Sequence, residues 1–133
     1  STCMTFVYPY VLTIICMGLL DFLWFSFSYP LLYKKGIGHL MADKVDMFPA
    51  VLFYIVFAFG LYVFVLKPGF AQQFSVTRVL LLGMLLGFLA YATYNFTNQA
   101  TLKDWPILVT IVDSIWGAVV SGVTATLVYV LTR

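Results

Sequence analysis

The sequence predicts an all-α integral membrane protein, a single domain over residues 1–133 in which four transmembrane helices form an up-down bundle. Only 9% of its residues are charged and 63% are hydrophobic, whereas soluble domains carry about a quarter charged residues. Four apolar runs each approach the ~20 residues that a helix needs to cross the hydrocarbon core. The predicted helices cover about residues 6–29, 49–66, 78–98 and 106–131. Short connections between them favour antiparallel neighbours.

Prolines stand at the ends of these runs. Pro30 and Pro68 follow the first two runs, and Pro49 and Pro106 begin the second and the fourth. Proline is tolerated in the first turn of a helix and stops a helix when it follows the last turn. We therefore expect the first helix to end before its proline. Residues 30–48 would then form the first connection, whose apolar stripe favours a short helix on the membrane surface.

The charged side chains are few and scattered, which excludes nucleic acid as a partner because such binding requires basic clusters. The first and third loops carry Lys34, Lys35, Lys44 and Lys103, and the side of both termini carries Lys67, Arg78 and Arg133. This small excess favours cytoplasmic first and third loops, and the type of membrane is not indicated. With two cysteines and one histidine, no spacing predicts a metal site, and no particular cofactor is indicated.

Two aspartates inside the predicted helices are the strongest functional signal. Asp21 precedes the end of the first helix by about 8 residues and Asp113 follows the start of the fourth by about 7, so each lies ~10–12 Å below the same membrane surface. The two helices are neighbours in a four-helix ring, so the carboxyl groups can approach each other. Repulsion and desolvation would then leave a shared proton and a proton-exchanging or cation-binding site. The alternative is that each carboxyl only locks helix packing.

Other polar and aromatic side chains are predicted at the same level of the membrane. The third helix ends there, and its polar residues recur at offsets of three and four along one face. Aromatic walls with a few convergent polar groups are typical of small-molecule sites. The predicted ligand-binding residues are Asp21, Trp24, Tyr91, Tyr94, Asn95, Asn98, Asp113 and Trp116. No nucleophile–base pair, phosphate loop or dinucleotide motif is present, so catalytic residues and an enzymatic reaction are not assigned.

Small and polar side chains form one stripe along the predicted fourth helix. The stripe consists of Thr110, Asp113, Gly117, Ser121 and Thr124, at offsets of three and four. A face of this composition contacts protein rather than lipid. Gly83 and Gly87 give the third helix a close-approach surface of the same kind. Together these faces predict a bundle closed around the carboxyl groups.

Three motifs carry a family resemblance. They are Leu20-Asp21-Phe-Leu-Trp24, the stretch from Ala90-Tyr91-Ala-Thr-Tyr94-Asn95 to Trp105, and Val112-Asp113-Ser-Ile-Trp116-Gly117. Over nearly its whole length the chain resembles the predicted membrane proteins of domain-of-unknown-function family 2177. The resemblance implies four membrane spans and brings no established reaction. Asn95 stands where the family usually has aspartate, so a metal site of three acids is not expected. Family members often neighbour fatty-acid-modifying enzymes, including cyclopropane-type methyltransferases, which points towards lipid.

The predicted function is binding, or helping to modify, a lipid or small apolar molecule between the helices, with its polar end at the two aspartates. Membrane lipid is the expected partner. One alternative is a small proton-coupled transporter in which Asp21 exchanges a proton for cargo, and a homodimer would accompany it. The other is a structural or assembly subunit whose intramembrane acids pair with a membrane-protein partner.

Overall fold

A computed structural model describes residues 2–133, in which the chain forms four long helices and no strand. Helix α1 consists of the consecutive segments Thr2–Ser28, Tyr29–Tyr33, Lys34–Ile37 and Gly38–Leu40. Helix α2 consists of Met47–Leu61, Tyr62–Leu66 and Lys67–Gln72, and it is followed by α3 (Val76–Thr101) and α4 (Ile107–Thr132). All four are long and apolar enough to cross a membrane. The structure thus confirms the predicted all-α class and the four spans.

Helix α1 continues past Pro30, which corrects the boundary expected from the sequence. The chain widens into a π-helical turn at Tyr29–Tyr33, where the backbone N–H of Lys34 donates to the carbonyl of Tyr29. A local π-helical turn can absorb the missing proline N–H without ending the helix. The first connection is therefore only residues 41–46. Residues 31–40 extend α1 and do not form a separate surface helix.

Helix α2 also runs past a proline. It begins where the side chain of Asp46 accepts a hydrogen bond from the backbone N–H of Phe48, as is typical of an N-cap. It continues through the π-helical turn Tyr62–Leu66 and is capped by Gln73, which adopts a left-handed conformation with φ of 53°. Helix α2 therefore ends at Gln72, about two turns beyond the predicted end at residue 66.

Helices α3 and α4 form the closest contact in the bundle, and glycines make it possible. A Cβ atom at Gly87 would lie 2.1 Å from the carbonyl oxygen of Gly117, and one at Gly117 would lie 2.2 Å from Cγ of Tyr91. The predicted stripe of α4 is buried along its length. Its small side chains thus allow the two backbones to approach each other, as expected for membrane helices.

Around the core the helices follow the order α2, α1, α4, α3. Helix α3 completes the ring by contacting α2 at the Tyr62–Leu66 turn. Met17, Phe57 and Val120 form a buried cluster where α1, α2 and α4 meet. Large apolar side chains cover the outside, including Phe22 with 70% of its surface exposed. Such a surface is compatible with lipid rather than water.

Candidate functional site

Asp21 connects α1 to two other helices. Its carboxyl group is nearly fully buried, with 4% of the residue exposed. One carboxyl oxygen accepts a hydrogen bond from the Tyr54 hydroxyl of α2. The other accepts one from the indole N–H of Trp116 in α4, at 2.8 Å. Asp21 therefore holds α1 against both neighbours.

Asp113 makes the corresponding connections from α4. Its Oδ1 accepts a hydrogen bond from the Tyr33 hydroxyl at 2.7 Å, and its Oδ2 accepts one from Nδ2 of Asn95 at 2.7 Å. Tyr33 belongs to α1 and Asn95 to α3. The two aspartates together thus link all four helices by hydrogen bonds. In the low-dielectric interior such bonds are stronger than in water.

Two tryptophans join the aspartate pairs. The rings of Trp24 and Trp116 stack with their centroids 4.8 Å apart. Trp116 donates to Asp21, while the indole N–H of Trp24 lies 3.3 Å from the hydroxyl of Tyr33, the partner of Asp113. The two carboxyl groups therefore belong to one continuous network of polar and aromatic side chains.

The π-helical turn of α1 supplies a side chain that sequence reasoning missed. Tyr33 lies in this turn, is 5% exposed, and reaches a residue 80 positions later in the chain. The sequence places Tyr33 in the first connection because Pro30 is expected to end the helix. Tyr54, which donates to Asp21, is likewise absent from the predicted ligand-binding residues.

Both aspartates line a cavity of about 720 Å³ at the end of the bundle near the first and third loops. All four helices contribute to its walls, and seven of the fifteen lining residues are aromatic. The aromatic residues are Phe25, Tyr33, Phe53, Tyr54, Tyr91, Tyr94 and Trp105. Phe53 and Tyr94 remain 39% and 55% exposed. Because these two lie on α2 and α3, the cavity extends between those helices towards the lipid.

The predicted ligand-binding residues divide into two groups. Asp21, Tyr91, Tyr94 and Asp113 line the cavity. Trp24, Asn95 and Trp116 contact the carboxyl network from behind and are not in the cavity wall. Asn98 lies one turn beyond Tyr94 on α3 and is half-buried, and its side chain hydrogen-bonds that of Tyr94 without lining the cavity. The structure therefore places seven of the eight in the carboxyl network or its cavity wall, and the eighth, Asn98, in contact with that wall through Tyr94.

Within residues 2–133, no group of three or more His, Cys, Asp or Glu side chains is arranged to hold a metal ion. Each oxygen of Asp21 and Asp113 also accepts a hydrogen bond from a neighbouring side chain. These hydrogen bonds hold the two carboxyl groups in place.

A second cavity, of about 850 Å³, lies at the opposite end of the bundle. Its walls include Tyr8, Phe70, Tyr129 and Arg133, and none of its lining residues is acidic. Tyr129 donates to the carbonyl of Phe74 at 2.7 Å and so fixes the turn between α2 and α3. The predicted ligand-binding residues that line a cavity therefore all line the smaller one.

The family model described as Predicted membrane protein (DUF2177) matches residues 6–130. The chain belongs to this family. The match covers all four helices and confirms the resemblance carried by the motifs around Asp21, Asn95 and Asp113. Comparison with curated proteins and with solved structures gave no match. Membership of DUF2177 establishes a membrane protein with four candidate spans and leaves its activity to be argued from the site.

Proposed function

We propose that this DUF2177 protein binds an amphipathic, lipid-like molecule in the cavity between α2 and α3. Its polar end would contact Asp21 and Asp113, and its apolar chain would leave past Phe53 and Tyr94 towards the bilayer. The observation that carries the proposal is a pair of buried carboxyl groups in one aromatic cavity. Ionisable groups inside a membrane are expensive, and they usually mark a functional site.

The size and walls of the cavity support this function. Small-molecule sites generally measure about 300–1,000 Å³ and combine apolar walls with a few fixed polar groups. The cavity of about 720 Å³ lies within this range. Its polar groups are oriented before any ligand arrives, because each carboxyl oxygen already has a donor. Such preorganisation lowers the entropic cost of binding.

The exposure of the walls favours entry from the lipid. Phe53 is 39% exposed and Tyr94 is 55% exposed, although both line the cavity. The Tyr94 ring meets Trp105 edge to face, with the centroids 5.9 Å apart. An apolar chain passing between these side chains would remain in apolar surroundings throughout, so it would not have to cross water.

Filling the cavity tests the proposal. Ala50 lines the cavity near the start of α2, and Ala50→Trp should block it. Native mass spectrometry of the full chain, extracted with a mild detergent, should show a retained amphiphile on the wild type. The variant should retain about tenfold less, since a clash of about 1.4 kcal/mol suffices for that change.

The matched control is Ala71→Trp, which adds the same side chain at an exposed position outside the cavity near the end of α2. It should retain as much amphiphile as the wild type. Equal retention by Ala50→Trp and the wild type would contradict the proposal, and so would the absence of any retained amphiphile from the wild type.

A further inference from the structure

We infer that the second cavity, at the end of the bundle opposite the two aspartates, binds an amphiphile with an anionic head group, a phosphate or carboxylate on an apolar chain. This site is independent of the first cavity, which holds the aspartates, because the two cavities share no lining residue. Arg133 is the one charged residue among the described residues that line the second cavity. Because a guanidinium group stays protonated in proteins, this side chain contributes a permanent positive charge.

Acidic side chains are confined to the other half of the bundle. The sequence contains five acidic residues, and all of them lie in the half that holds the first cavity: Asp21, Asp43, Asp46, Asp104 and Asp113. The end with the second cavity carries Lys67, Arg78 and Arg133. Within residues 2–133, the one side-chain ion pair joins His39 to Asp104, so no acidic side chain neutralises these three cations. A set of side chains with one sign of charge favours ligands of the opposite sign.

Two aromatic residues of the cavity wall hold the arginines in place. Phe74 and Tyr129 line the cavity and are 8% and 2% exposed. The guanidinium carbon of Arg133 lies 5.3 Å from the centroid of the Tyr129 ring, and that of Arg78 lies 3.9 Å from the centroid of the Phe74 ring. Both distances are short enough for a cation–π interaction. The Tyr129 hydroxyl donates to the carbonyl of Phe74 at 2.7 Å, so the ring beside Arg133 is itself fixed.

The walls of the second cavity suit an amphiphile better than a free anion. Its buried lining residues are Pro9, Phe74 and Tyr129, whereas Gln73 and Arg133 are exposed. The cavity therefore combines an apolar or aromatic interior with polar and charged side chains at its surface. A guanidinium group can donate two parallel hydrogen bonds to a phosphate or a carboxylate. An apolar chain on the same molecule would cover the interior, which a free phosphate would leave uncovered.

Three probes test this inference by native mass spectrometry on the full-length chain in a neutral detergent: dodecyl phosphate, dodecanol and inorganic phosphate. Dodecyl phosphate should bind the wild type about tenfold more tightly than either other probe, because only it offers both a negative charge and an apolar chain. Arg133→Gln should remove most of the preference for dodecyl phosphate over dodecanol. The matched control is Lys67→Gln, which removes the same charge from an exposed position outside the cavity lining. It should change the affinity for dodecyl phosphate by less than about twofold, since distant exposed charges are screened.

A second pair of variants locates the bound molecule. Thr132 lines the second cavity, so Thr132→Trp should lower the affinity for dodecyl phosphate by about tenfold through steric exclusion. Leu131→Trp adds the same side chain at the neighbouring position, which is 65% exposed and outside the cavity lining. This control should bind dodecyl phosphate as the wild type does. Ala50→Trp, which fills the first cavity, should also leave this binding unchanged.

Several outcomes would overturn the inference. Equal binding of dodecyl phosphate and dodecanol to the wild type would contradict the anionic head group, and this comparison does not depend on any variant folding. Inorganic phosphate that binds as tightly as dodecyl phosphate would contradict the role of the apolar walls. Equal losses in Arg133→Gln and Lys67→Gln would indicate general attraction to a charged surface instead of a site in the cavity. Binding that is lost in Ala50→Trp and kept in Thr132→Trp would place the amphiphile in the first cavity instead.

Discussion

Gly87→Ala should destabilise the bundle by about 1–3 kcal/mol or more, as overpacked cores generally do. The added Cβ would lie 2.1 Å from the carbonyl oxygen of Gly117 and 2.2 Å from Oγ of Ser121. The first of these atoms belongs to the backbone of α4, so it can move away only if the two helices separate. Thermal unfolding in detergent, followed by circular dichroism, should show the transition at a clearly lower temperature.

Gly60→Ala is the matched control, because a Cβ at Gly60 in α2 meets nothing within 4 Å. Alanine also has a higher helix propensity than glycine, by up to about 1 kcal/mol. The control should therefore unfold at the same temperature as the wild type or slightly above it. If both alanine variants behaved alike, the close contact between α3 and α4 would be contradicted.

Asp113→Ala should lower the free energy of unfolding by about 2 kcal/mol or more, since each buried donor left without a partner costs about 1–3 kcal/mol. The substitution removes the acceptor of Tyr33 and one of the two acceptors of Asn95, which keeps its hydrogen bond to the carbonyl of Tyr91. Both donors are themselves buried, so water cannot readily replace the carboxylate. Thermal or denaturant unfolding in detergent measures the loss.

A double-mutant cycle with Tyr33→Phe shows whether the contact is responsible. In the wild type, Tyr33→Phe removes a hydrogen bond to a carboxylate and should be destabilising by about 1.5–3 kcal/mol. In the Asp113→Ala background the Tyr33 hydroxyl keeps only its long contact with the indole N–H of Trp24, so the substitution should cost less. Coupling of this kind is expected for residues in direct contact. Strictly additive effects would show that Tyr33 and Asp113 do not interact.

Much of this architecture could be predicted from the sequence because membrane helices have simple requirements. The lengths of the apolar runs determine the four spans. The regular rise of a helix places Asp21 and Asp113 at one level of the membrane, and the structure places both in one cavity. The stripe from Thr110 to Thr124 predicted the face of α4 that is buried against protein.

Other features depend on geometry that no local pattern encodes. Pro30 was expected to end α1, but the π-helical turn at Tyr29–Tyr33 carries the helix past it. Within that turn Tyr29 and Leu31 are exposed, whereas Tyr33 is buried and donates to Asp113. The choice of Trp116 and Tyr54 as donors to Asp21 likewise depends on how the helices cross. Crossing geometry arises from side-chain packing between helices that are distant in sequence.

The network also explains why stability and binding must be measured separately. Asp21 and Asp113 hold four helices together through Tyr54, Trp116 and the partners on α1 and α3. Removing either carboxyl group therefore weakens the fold even if no ligand is ever bound. A cavity-filling change such as Ala50→Trp replaces none of these hydrogen-bonding residues. A loss of binding in that variant can therefore be attributed to the filled cavity.

Photolabelling with a twelve-carbon amphiphile that carries a diazirine in its chain locates the bound molecule most directly. After irradiation and peptide mass spectrometry, labels should concentrate on Phe53, Ala90 and Tyr94, which line the cavity, and should decrease strongly in Ala50→Trp. Labels spread over lipid-facing residues such as Phe22, and unchanged in that variant, would contradict a binding site between α2 and α3.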